Sequence, residues 1–155
     1  LAVRANDPGR TRADFAGRRL ASTRGSTSEL AIRMNGSEPL TFADTGSAFM
    51  AVQQNRAFGI VANTMTITKI VNDSQTQGIP MRMIEEPMAL QPIGIGMKRD
   101  EPALLARVNE TLAAMEADGE LTAIWNRWLG PDTEFRMVRT DRVTPFSQLQ
   151  FTPLP

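Results

Sequence analysis

Between residues 18 and 86, short apolar runs alternate with segments of helical length, and this alternation constrains the fold more than any other feature. The runs "RRLAST" (18–23), "LTFA" (40–43), "FGIVA" (58–62) and "MRMIEE" (81–86) have strand length and strand composition. "FGIVA" is apolar throughout, as a strand buried on both faces must be. Between the runs lie residues 27–35, stopped by Asn35-Gly36, then "GSAFMAVQQN" (46–55), which Asp44 or Thr45 can cap. Residues 64–73 follow, with Met65, Ile67, Ile70 and Val71 as the apolar positions. A β-α-β-α-β-α-β series predicts a doubly wound α/β layer that binds ligands beyond the carboxyl ends of its strands. The loops at those ends are 23–27, 43–46 and 62–65.

The first of these loops, within "STRGSTSEL" (22–30), concentrates hydroxyl side chains, one arginine and one glycine at a strand-to-helix junction. The first N–H groups of a helix have no intrahelical partner, and the helix dipole adds partial positive charge, so such a junction suits an anion. Ser26 and Glu29 have the S-x-x-E spacing of a capping box, and an ordinary capped helix after a tight turn explains the same residues.

What the chain lacks narrows its chemistry. It has no cysteine and no histidine, which excludes thiol catalysis, Ser-His-Asp chemistry, disulfides and the usual zinc sites; no cofactor, metal or catalytic residue is expected. Seventeen basic residues balance seventeen acidic ones, so no global field favours nucleic acid. No apolar run approaches the roughly 18 residues of a membrane span.

Past residue 92 the pattern changes. "IGIGMK" (93–98) has the composition of one more strand. Pro102 opens a helix with Leu104, Leu105, Val108, Leu112 and Met115 at helical spacing, ended by Gly119. "LTAIWNRWLG" (121–130) gives a second, with Leu121, Ile124, Trp125 and Trp128 on one stripe. That stripe fits core packing, and a ligand platform is the alternative. A mostly extended tail follows Pro131.

The order of these segments resembles the periplasmic solute-binding proteins of amino-acid ABC transporters, the family-3 extracellular type. The stretches that carry the likeness are "DFAGRRLASTRGSTSEL", "FMAVQQNRAFGIVANT" and "PIGIGMKRDEPALLARVNETLAAMEADGELTAIWNRWLG". The paired "VN..L..M..DG.L..I...W.G" pattern is the most specific, and the tail "EFRMVRTDRVTPF" is most similar to the glutamate/aspartate-binding branch.

The resemblance implies a type II periplasmic-binding-protein fold, with two lobes closing on a ligand around a hinge. Residues 1–13 would be a hinge strand and linker and 14–91 the second lobe. Residues 92–155 would supply a hinge strand, two helices and a tail to the first lobe, whose N-terminal section lies outside this chain. It further implies a periplasmic, non-enzymatic importer component that binds a polar amino acid between the two lobes, the acidic glutamate or aspartate first. Its partner would be an inner-membrane ABC permease, and a swapped or associated homodimer would be one way to cover the helices' apolar stripe. Carried over by position, Ser26 and Thr27 would donate to a ligand carboxylate, Thr23 and Thr45 would bond its side-chain end, and Arg24 would clamp a carboxylate if it points inward.

Two departures stand out. Asn63 occupies the position where the family usually has an aspartate for the ligand's α-ammonium, so the charge there is lost. Gly59 replaces the side chain commonly carried in that strand. An amine-free dicarboxylate is therefore an alternative ligand. A sensor-type binding domain and a dehydratase-like enzyme on the same fold are the alternative functions, the enzyme disfavoured because the three loops offer no acid or base besides Asp44.

Overall fold

A computed structural model describes residues 1–76 and 78–153; Leu154 and Pro155, the end of the expected tail, lie outside the described residues. The chain divides into two compact units, Leu1–Leu90 with Thr152–Pro155, and Gln91–Phe151.

The first unit is a five-stranded sheet with helices on both faces. Its strands are β1 (Ala2–Arg4), β2 (Arg19–Thr23), β3 (Glu38–Phe42), β4 (Gly59–Ile60) and β5 (Met81–Met83), in the order β3-β2-β4-β1-β5. Helix α1 (Thr27–Met34) joins β2 to β3, α2 (Thr45–Gln53) joins β3 to β4, and α3 (Thr64–Ser74) joins β4 to β5. Strand β2 runs parallel to both β3 and β4, in the registers Thr23↔Phe42 and Ala21↔Ile60. The expected alternation therefore stands, with two amendments. The layer is mixed, because β1 is antiparallel to β4 and to β5, pairing Ala2 with Ile60 and with Met83. The last strand also stops at Met83, one residue before Ile84, whose N–H still donates to the Leu1 carbonyl at 2.8 Å.

The period of two along the strands splits the core between the two faces. Leu1, Val3 and Leu20 pack with Ala31 and Ile32 of α1 on one side. Ala2, Ala21 and Ile60 pack with Ala48 and Val52 of α2 and Ile67 of α3 on the other. Leu20, Ile32, Ile60 and Ile67 are almost wholly buried, each worth roughly 1.5–3 kcal/mol. Gly59 belongs to this core: a β-carbon there would lie 2.6 Å from the carbonyl oxygen of Ala2 and 2.9 Å from side-chain atoms of Leu1 and Val3. Its missing side chain admits β1 beside β4.

The second unit holds α4 (Pro102–Ala117) and α5 (Glu120–Leu129), joined at Gly119, whose φ of 85° permits the sharp reversal. Neither helix has a buried residue: Leu112, Met115, Leu121 and Trp125 are half-buried, and Trp128 is 64% exposed. The indole N–H of Trp125 is buried without a hydrogen-bond partner among the described residues. A carboxylate knot ties the following segment to the helices. Glu116 accepts from Arg139 (2.5 Å), Arg142 (2.8 Å) and the Val143 N–H (3.1 Å), and Arg139 also reaches Thr122. These donors, Arg139 foremost, lower the Glu116 carboxyl to a pKa of about 2. The strand expected at 93–98 does not form: no neighbouring strand offers hydrogen bonds, Ile93 and Ile95 are exposed, and the backbone is irregular there.

Candidate functional site

Because β2, β3 and β4 run parallel, their carboxyl ends share one edge of the sheet, and all three following helices begin there. Each helix is capped by a different side chain. Ser26 Oγ accepts from the Glu29 N–H at 3.3 Å, Asp44 Oδ1 from the Ser47 N–H at 2.8 Å, and Asn63 Oδ1 from the Thr66 N–H at 2.9 Å. Asp44, rather than Thr45, caps α2.

At the first loop, Gly25 (φ 70°) turns the chain with open space where a β-carbon would stand. The Arg24 N–H donates to the Phe42 carbonyl at 2.8 Å, extending the β2–β3 ladder past the strand ends. The expected reciprocal capping box is half formed. Glu29 receives the Gly25 N–H at 2.9 Å instead of the Ser26 N–H, and pairs with Arg33 at 2.9 Å. The Gly25 N–H and then Arg33 hold the Glu29 carboxyl below its ordinary pKa. Ser26 does not offer free donors as the sequence suggested: its hydroxyl and N–H both donate to the Thr23 carbonyl, at 2.6 and 3.3 Å. The N–H groups of Thr27 and Ser28 have no acceptor among the described residues. Ser28 escaped the sequence analysis, although counting two positions on from a Ser26 cap points to it.

Thr23 and Thr45 meet, with their hydroxyl oxygens 3.4 Å apart. This contact links the end of β2 to the start of α2. Arg24 is exposed, and its guanidinium makes no hydrogen bond or ion pair among the described residues. Asp44 receives both the N–H and the hydroxyl of Ser47, bonds that lower its pKa. Asn63 sits on the same edge beyond β4, exposed, and makes no hydrogen bond with Thr23 or Thr45 among the described residues. The N–H groups of Thr64 and Met65 behind it find no acceptor among the described residues. The edge therefore gathers unpaired donors and the positive ends of three helix dipoles, an arrangement suited to an anionic group. No cluster of potential metal ligands occurs among the described residues.

The sequence pattern of the bacterial extracellular solute-binding proteins, family 3, matches residues 20–131. The ABC transporter arginine-binding protein 1 of Escherichia coli (strain K12) is 25% identical over 131 residues, covering 83% of this chain and 54% of that protein. The ABC transporter glutamine-binding protein GlnH of Bacillus subtilis (strain 168) is 24% identical over 118 residues, 75% of this chain and 42% of that protein. Among solved structures, the GluR0 ligand binding core in complex with L-glutamate gives a TM-score of 0.70 at 16% identity, covering 83% of this chain and 58% of that one. The chain spans about half the length of the curated relatives it matches. These likenesses identify the fold as the type II periplasmic-binding-protein fold.

Proposed function

Since the chain belongs to the bacterial extracellular solute-binding proteins of family 3, we propose that it carries the ligand-gripping lobe of an ABC importer's solute receptor, acting in the periplasm with an inner-membrane permease. Residues 14–91 form that lobe, and the loops 23–27, 43–46 and 62–65 hold the solute. The solute is small, of the amino-acid type and acidic.

The convergence of three capped helix starts on one sheet edge carries this reading. A carboxylate placed there satisfies the free N–H groups of Thr27 and Ser28 and lies within the field of three dipoles. The Thr23–Thr45 hydroxyl pair adds donors or acceptors as the ligand requires. Relatives named for arginine and glutamine share the family, and glutamate and aspartate are the acidic counterparts to set against them.

Calorimetric titration of the full-length protein with all four amino acids and with short dicarboxylates tests the proposal. Saturable binding of an acidic member, weakened by Thr27→Pro, is expected. The proline removes the Thr27 N–H at the first helical position, where proline is otherwise tolerated. Binding of arginine alone, or of nothing in the panel, would overturn the acidic assignment or the whole reading respectively.

A further inference from the structure

Resting on the division into two units and not on the identity of the solute, we infer that residues 144–151 form a strap that limits how far the units part, with Thr152 as its clasp and Glu116 as its anchor.

The chain leaves the first unit after Leu90 and returns to it at Thr152. There, within the first unit, the two passages are fastened to each other. The Thr152 N–H donates to the Leu90 carbonyl at 2.8 Å, and the Leu90 N–H donates to the Thr152 hydroxyl at 2.9 Å. The outgoing passage is itself pinned, because Arg12 donates to the Pro87 carbonyl at 3.1 Å and Asn35 to the Met88 carbonyl at 2.8 Å. Beyond Leu90 that support ends. Residues 91–97 make no hydrogen bond among the described residues, and Ile93 and Ile95 are exposed.

The returning passage is also held at its other end. In the second unit Glu116 accepts from Arg139, Arg142 and the Val143 N–H near the end of α4, whereas the outgoing connector meets α4 at Glu101, its start. These two attachments lie about 21 Å apart along a rigid helix, at roughly 1.5 Å per residue. A single flexible connector would let α4 swivel freely about Leu90. Two connectors that meet at Leu90 and Thr152 but grip α4 at opposite ends remove most of that freedom. The strap is also the shorter of the two. At roughly 3.6 Å per residue, Val143 to Thr152 reaches at most about 32 Å, and Leu90 to Glu101 about 40 Å. While the clasp is closed, the strap therefore sets the limit. The clasp consists of two neutral hydrogen bonds beside an exposed Leu90, and the charged bonds of Glu116 are stronger, so the strap opens at Thr152.

The chain has no cysteine, so nitroxide labels on Gln54→Cys and Ala106→Cys, both exposed positions, can report the distance between the units. The measurement is pulsed electron resonance on the full-length, solute-free protein. Thr152→Pro removes both the hydroxyl and the N–H of the clasp. It should widen the distance distribution at least about two-fold, towards the spread of a flexible connector alone. Glu116→Ala frees the other end and should widen it to the same extent. The double variant should widen it no further, because a strap released at one end holds nothing at the other. Thr152→Val, which keeps the N–H bond, should widen it less, and it replaces the proline variant if that one loses the wild-type melting temperature. A wild-type distribution in either folded single variant, or a widening in the double variant equal to the sum of the two, overturns the inference. With no solute present, either result leaves the solute-binding reading standing.

Discussion

The hydroxyl oxygens of Thr23 and Thr45 stand 3.4 Å apart and join the last residue of β2 to the first of α2. A single hydrogen bond between half-buried hydroxyls contributes about 0.5–1.5 kcal/mol at most. Thr23→Val and Thr45→Val should each destabilise the fold by no more than that. The double variant should cost less than the sum of the two, because both single changes remove the same bond. Urea denaturation of the four proteins measures the coupling, and strict additivity would show that the hydroxyls do not interact.

Asn63 has a structural role that can be separated from any part in binding. Asn63→Ala removes the cap of α3 and should cost about 1 kcal/mol, whereas Asn63→Asp should retain stability. Equal melting temperatures for the alanine and aspartate variants would contradict the cap.

Gly59 should tolerate no side chain. In Gly59→Ala the added methyl meets the Ala2 carbonyl at 2.6 Å, a backbone atom that moves only with β1. A loss of about 1–3 kcal/mol is expected by chemical denaturation. A neutral effect would mean that the β1–β4 pairing is looser than the register Val3↔Gly59 requires.

The Glu116 knot makes the attachment of residues 139–143 dependent on acidity. The folded-state pKa of about 2 lies below the ordinary 4.5, so the knot's contribution is fully present above pH 4.5 and is lost as pH falls towards 2. Amide hydrogen exchange at Val143, which donates to Glu116, should be protected at pH 6 and progressively less so, after correction for intrinsic rates, between pH 4.5 and 2. Glu116→Ala, which removes the acceptor, should abolish the protection at every pH, and a pH-independent protection factor in the wild type would refute the assignment.

Much of the first unit was legible because its signals are local. Strand-length apolar runs, a serine before α1 and Asn35-Gly36 after it all report on their own few residues. The direction of β1 was not legible, since its partners Ile60 and Met83 are distant in sequence and three residues carry too little pattern. Gly59 looked like a missing site residue and is instead the place where two strands approach closely. "IGIGMK" has strand composition without a strand's partner, and composition cannot supply hydrogen bonds. At the site, the positions of Thr23 and Thr45 followed from the alternation and Ser26 was legible as a cap, but its donation to the Thr23 carbonyl and the capping of α3 by Asn63 depended on individual atoms. A hydroxyl or carboxamide that satisfies its own helix is no longer fully available to a ligand, and residue type alone does not reveal that.

The placement of β1 between β4 and β5 has a kinetic consequence. Of the five strands, β1 comes earliest in the sequence, and its two edges must wait for residues 60 and 83. The β2–α1–β3 unit needs only neighbouring sequence and has a much smaller loop-closure cost. Assembly should therefore begin at β2 and β3, with β1 threading in late between β4 and β5. Until it does, those two strands present unpaired edges, and the nascent chain is most prone to aggregate in that interval.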